Sequence, residues 1–249
     1  MSLKVSREGR VLRLTLARPE KRNALSPDLC EALVANLKDD PEVGAILLDA
    51  EGSVFCSGMD LDAATTSATQ THDQLFTFGF CLNTPVIAAV QGPAMGGGLG
   101  LVANSHIAIA AQGAQFGMPE IRIGMWPYVI WRSVTRSLGE RRAMMLALTG
   151  RVFGSTEALQ WGLVQEVVPP IELEDRAFAI AHAIAESSPE VIRRGLTLAR
   201  ETPGLSLKDA GRLALELRSE NFEHPDFAEG IAALKEKRKP RWPSLQSAP

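Results

Sequence analysis

Pro85-Val-Ile-Ala-Ala-Val-Gln-Gly-Pro-Ala-Met-Gly-Gly-Gly-Leu-Gly-Leu-Val-Ala103 is the stretch that decides the fold. Val86 to Val90 is a short apolar run of the kind that forms a strand buried on both faces. Gly92-Pro93 ends it, and Gly96, Gly97 and Gly98 lead into a second apolar segment, so the chain reads as strand, tight turn and helix start. Glycine lets the backbone take positive φ and lets another group come close, while the first turn of a helix leaves N–H groups without partners. Such a turn suits an anion or a polarised carbonyl oxygen. It equally suits close packing of helix on strand and nothing more.

Upstream, Leu3 to Arg7 and Val11 to Leu16 flank Glu8-Gly9, and Leu12, Leu14 and Leu16 alternate with polar residues, which predicts a hairpin. After the polar loop Ala17 to Leu25, Ser26 as N-cap and Pro27 in first position start a helix with Leu29, Leu33 and Leu37 on one face. Asp40-Pro41 stops it, Gly44 to Asp49 reads as a buried strand, and a loop runs from Ala50 to Leu61. The segment Ala63 to Gln74 has neither period nor apolar content and is expected to be mobile, a candidate lid; a helix is predicted near Gln74 to Leu82.

Downstream, a strand is predicted at His106 to Ala110 and a short extended piece at Gln115-Phe116. The loop Gly117 to Tyr128 then sets one carboxylate, Glu120, among Phe116, Met118, Met125 and Trp126. Helices are expected over 128–138 and 140–148, with a short one capped by Ser155 before a strand at 163–168. From Ile171 onward the pattern is helical alone, over 172–185, 189–200, 205–222 and 225–237. The fold class expected is α/β, with a body over 1–168 and a helical C-terminal subdomain over 169–249.

The 249 residues are 45% hydrophobic and 22% charged with a formal net charge of −3, so a sizeable core is affordable and nothing draws the chain to nucleic acid or an acidic membrane. No apolar run spans a bilayer and Met1 to Arg10 is not a signal peptide, which makes the cytoplasm the expected location. Cys30, Cys56 and Cys81 show no ligand spacing and are expected to be buried thiols; His72, His106, His182 and His224 are scattered. No metal and no tightly bound cofactor are expected. The glycine turn fails GxGxxG because Leu101 stands at the third position, and neither a phosphate-binding GxxxxGK[ST] nor a GxSxG elbow occurs.

Six stretches stand in a familiar order: Arg18-Pro-Glu-Lys-Arg-Asn-Ala-Leu25, Phe55-Cys-Ser-Gly-Met-Asp-Leu61, the opening stretch through Gly100, Ala114-Gln-Phe-Gly-Met-Pro-Glu120, Leu148-Thr-Gly-Arg with Glu157 to Leu163, and Glu229 to Arg241. In that order the chain resembles the enoyl-CoA hydratase/isomerase (crotonase) superfamily over nearly its whole length. The resemblance implies a crotonase-like ββα spiral, an acyl-CoA thioester as partner with coenzyme A as part of the substrate, and a homotrimer or dimer of trimers. It also implies that the backbone N–H groups of Met59 and Gly97 hold the thioester oxygen, where enolate charge collects; each preorganised donor of that kind is worth about 2.7–4 kcal/mol. Glu120 matches the family acid/base, and its apolar neighbours are expected to raise its pKa.

By the same resemblance Lys21, Arg22 and Ala24 lie near coenzyme A, the Ser57 carbonyl meets its adenine, and Gly96, Leu61, Trp126 and Tyr128 border the substrate. Lys21 and Arg22 read equally well as a solvated loop, Trp126 and Tyr128 as packing, and Asp60 as a helix cap instead of a ligand contact. The departure is Gly100: two-glutamate hydratases of the family carry their second acid there. A single glutamate suffices to move a double bond, so isomerisation is the first expectation, one-glutamate hydration the second, and a silent acyl-CoA-binding paralogue the third. Glu120 and Tyr128 also differ from the residues that related dehalogenases use.

Overall fold

The computed structural model describes residues 2–63 and 69–246. The chain begins with strands β1 (Leu3–Glu8) and β2 (Val11–Leu16), paired antiparallel from Leu3↔Leu16 to Glu8↔Val11 around Gly9. Helix α1 (Pro27–Asn36) follows, with the Ser26 side chain accepting from the Leu29 N–H as the sequence predicts. Then come β3 (Ala45–Ala50), α2 (Thr69–Leu75), α3 (Phe78–Cys81), β4 (Val86–Val90), β5 (Ala94–Met95), α4 (Gly97–Asn104), β6 (Ile107–Ala111) and β7 (Gln115–Gly117). A 3-10 turn at Pro119–Ile123 leads to α5 (Trp131–Leu138), α6 (Glu140–Thr149), β8 (Val152–Gly154), α7 (Ser155–Trp161) and β9 (Glu166–Val168). Helices α8 (Leu173–Ala185), α9 (Pro189–Glu201), α10 (Leu207–Glu223), α11 (Pro225–Glu236) and α12 (Pro243–Gln246) complete the described chain.

Six strands form one sheet in the order β1-β2-β3-β4-β6-β9, parallel except at the opening hairpin; β5, β7 and β8 form a small second sheet. Strand β4 lies inside the large sheet and is buried throughout, and its side chains divide by parity as a strand must. Val86, Ala88 and Val90 join the main core with Leu14, Leu48 and Ala110, whereas Ile87 and Ala89 face a second core under α8. That second core is closed by Leu173, Ala177, Ala181 and Ala185, one small face at helical spacing. Helix α8 therefore follows the break after Val168 in the chain and covers the sheet in space; α9 to α12 come after it.

Several local expectations shift. The helix predicted over 74–82 divides into α2 and α3, and most of the lid predicted at 63–74 lies outside the described residues or within α2. The helix predicted from Tyr128 begins at Trp131, and Ser155 is the first helical residue, with Gly154 before it and no side-chain cap. The strand predicted from Leu163 starts at Glu166, because the Leu163 and Val164 N–H groups still donate to Ala158 O (2.9 and 3.4 Å) at the end of α7. Cys30 and Cys56 are buried as expected, but Cys81 is exposed at the end of the one-turn helix α3.

Candidate active site

Two backbone segments meet at glycines. Gly58 takes φ 95° and turns the loop Cys56–Asp60, while Gly96 takes φ 53° immediately before α4. Their approach is close: a methyl group added to Gly58 would stand 3.4 Å from the Gly97 nitrogen and 3.0 Å from the Met95 carbonyl oxygen. The first loop is fixed from both sides. Cys56 N–H donates to Pro93 O (3.1 Å) and Met95 N–H to Cys56 O (2.9 Å). Opposite, Leu25 N–H donates to Gly58 O (2.8 Å) and Asp60 N–H to Leu25 O (3.1 Å), a parallel bridge in which Met59 keeps its own N–H turned away from Leu25. Gly97 opens α4, so its N–H is one of the helix's unpaired donors. Neither the Met59 nor the Gly97 N–H donates to another group among the described residues.

Glu120 arrives from the other side, second in the 3-10 turn that Gly124 closes in the left-handed region. It is 8% exposed, and its Oε2 is buried without a hydrogen-bond partner. Burial pushes its carboxyl above the ordinary glutamate range. Oε1 lies against the glycine turn, 2.8 Å from where a Gly96 side chain would begin. The acid and the two amides thus border one cavity of about 470 Å³, which Ser57, Leu61, Gly96, Trp126 and Tyr128 also line. Trp126 stacks on Trp131 at 5.5 Å, and Tyr128 stands 75% exposed at the rim.

Four of the residues expected near the substrate do not line this cavity. Lys21 pairs at 3.4 Å with exposed Asp62, and Arg22 offers its carbonyl to the Ser57 N–H (3.0 Å). Ala24 is buried, its carbonyl taken by Arg18 Nη1 (2.6 Å). Asp60 neither lines the cavity nor caps a helix, since residues 61–63 form a turn; its carboxylate accepts from Arg18 Nη2 at 3.0 Å. Phe116 and Met118, expected around the carboxylate, belong to the main core and do not line the cavity.

Val129 and Ile130, which carry no sequence signal, supply apolar wall beside Leu25, Phe76 and Met125, and His72 and Arg122 line the cavity too. Desolvation holds the His72 pKa below its usual value. Most telling is Gly100: a methyl group there would stand 2.3 Å from Ile130 Cγ2 and 2.9 Å from Phe76 Cε1. The space beside that glycine is filled by hydrocarbon. Only spatial proximity reveals this, because Ile130 and Phe76 are 30 and 24 residues away in the chain.

Comparison with known proteins agrees with this geometry. The family model described as enoyl-CoA hydratase/isomerase matches residues 6–245. The chain belongs to the enoyl-CoA hydratase/isomerase family. Among its relatives is the mitochondrial enoyl-CoA hydratase domain-containing protein 3 of Danio rerio, 34% identical over 247 residues, covering 94% of this chain and 85% of that one. A crystal structure of an enoyl-CoA hydratase from Mycobacterium smegmatis superposes with a TM-score of 0.89 at 30% identity, covering 97% and 99% of the two chains. Another, from Bacillus anthracis, gives 0.90 at 28% identity with 98% and 100% covered. The crotonase-like α/β fold with its C-terminal helices is thus shared. No helix among the described residues is long and apolar enough to cross a membrane.

Proposed function

We propose that the protein moves the double bond of an enoyl-CoA, with Glu120 as its single acid/base and the Met59 and Gly97 N–H groups as the oxyanion hole. The observation that carries this reading is the filled space at Gly100, which leaves Glu120 as the one carboxylate lining the cavity among the described residues. In this scheme the Glu120 carboxylate takes a proton from C2 of a 3-enoyl-CoA. The C2–H electron pair forms the C1=C2 bond of an enolate, whose oxygen the two amides stabilise. On collapse the enolate forms the C2=C3 bond, the former C3=C4 pair takes the proton back from Glu120 at C4, and the carboxylate is restored. Burial suits Glu120 to the task, since a raised pKa brings its two protonation states closer in energy near neutrality. Coenzyme A enters as part of the substrate and no other cofactor takes part. Hydration is the second reading, favoured by the hydratase names of the relatives; a silent acyl-CoA binder is the third.

Purified protein given 3-enoyl-CoA and 2-enoyl-CoA separately, with product analysis, distinguishes them. Isomerised product from the first substrate is expected, and Glu120→Gln is expected to lose about 10²–10⁴-fold in rate. Hydrated product without isomerisation would overturn the first reading in favour of the second, and binding without turnover would favour the third. Exposed apolar residues on α10 and α11, Leu207, Leu215 and Leu234 among them, support assembly as a homotrimer or dimer of trimers.

A further inference from the structure

The loop Arg18–Leu25 and the loop Cys56–Asp60 meet through three backbone hydrogen bonds, two of which bracket Met59. The direction of the Met59 N–H therefore depends on where Leu25 sits. Arg18 governs that placement by reaching across its own loop, with Nη1 on the Ala24 carbonyl (2.6 Å) and Nη2 on Asp60 Oδ2 (3.0 Å). One guanidinium thus holds the residue before Leu25 and the residue after Met59. Asn23 anchors the same loop beneath: its Oδ1 accepts the Arg18 N–H, and its Nδ2 donates to the Glu51 and Val54 carbonyls, each at 2.8 Å. The pair is largely withdrawn from water, with side chains 18% and 8% exposed, and Arg18 holds the Asp60 carboxyl below its ordinary range. A withdrawn ion pair contributes little net stability compared with apolar packing, so stability alone does not account for this one.

We propose that Arg18 and Asp60 are positioning residues that aim the Met59 N–H at the thioester oxygen without touching the substrate. The proposal rests on the reading of Met59 as an oxyanion donor. Asp60 then acts in catalysis through the backbone it anchors, and the Arg-Pro-Glu-Lys-Arg-Asn stretch acts through its first arginine.

The test is infrared spectroscopy of a saturated acyl-CoA, ¹³C-labelled at the carbonyl and bound to wild type, Arg18→Met and Asp60→Asn, together with kcat and KM for turnover. In wild type, binding lowers the carbonyl frequency. In both variants the band is expected to return toward that of the free ester, with kcat down about 100-fold, the scale of a 1 Å misplacement, and KM little changed. Folded variants that retain the wild-type band overturn the proposal, even if their turnover is reduced. Should Arg18→Met fail to fold, Arg18→Lys decides by the same band, since an ammonium keeps the charge and loses the two-pronged fork. Wild type that binds the ester with no band shift would instead sink the reading of Met59 and Gly97 as an oxyanion hole, a separate failure.

Discussion

Glu120 is an acid held where its charged form is poorly solvated, and that sets two pH dependences of opposite sense. As a base it works only when deprotonated, so kcat/KM is expected to rise with pH through a midpoint above the ordinary glutamate range. Stability runs the other way. The folded-state pKa exceeds the unfolded one, so folding favours the proton, and the benefit present at low pH is lost as pH rises through the raised value. Glu120→Gln is therefore expected to melt higher than wild type at neutral pH and to approach it under acid, as thermal unfolding across a pH series would show. Gly96 offers a second test at this scale. Alanine there adds a methyl 2.8 Å from Oε1 at a backbone φ of 53°, and it is expected to cut kcat more than KM in steady-state kinetics by displacing the carboxylate. Gly97 and Glu120 were legible in the sequence because motif residues sit close together in the chain. Ile130 and the pairing of Arg18 with Asp60 were not, since each acts across a gap that only folding closes.

At the scale of elements, the junction of α8 with the sheet shows how closely the second core is packed. Ala177, Ala181 and Ala185 bring the helix down on β3 and β4, and at Gly44, just before β3, a methyl group would stand 2.7 Å from the Ala185 Cα. Backbone cannot yield as a flexible side chain can. Gly44→Val or Ala181→Leu is thus expected to cost about 1–3 kcal/mol, the usual range for overpacking, seen as a lower urea midpoint with unchanged slope. The kcat of the folded fraction is expected to stay at the wild-type value, because α8 covers the face of the sheet opposite the core that holds Phe76 and Ile130. The apolar run of β4 announced a strand buried twice, and the glycine turn announced α4. What covered each face was not written locally: alanines four apart fit any close helix contact, and only the folded core, where they meet Leu47, Ile87 and Ile109, shows that α8 answers it.

At the scale of the whole molecule, the single chain leaves apolar side chains in water where a closed surface would not. Leu207 is 96% exposed and Leu215 64% on α10, and Leu234 is 76% exposed on α11. Scattered single residues of this kind need no partner, but Leu207 and Leu215 border one groove on α10, and an apolar surface of that kind favours association. A two-fold pair and a closed ring would each cover such a face on every copy, and the resemblance to the crotonase superfamily favours the ring. Sedimentation velocity is accordingly expected to give a species about three or six times the 26.9 kDa chain. Leu207→Asp with Leu215→Asp is expected to lower that mass, and wild type is expected to melt at a temperature that rises with protein concentration, because association binds the folded state alone. A wild-type monomer at all concentrations would mean that these leucines are merely tolerated on the surface. A trimer indifferent to both aspartates would move the contact to other elements, with Leu148 on α6 and Leu159 on α7 the exposed apolar residues to substitute next.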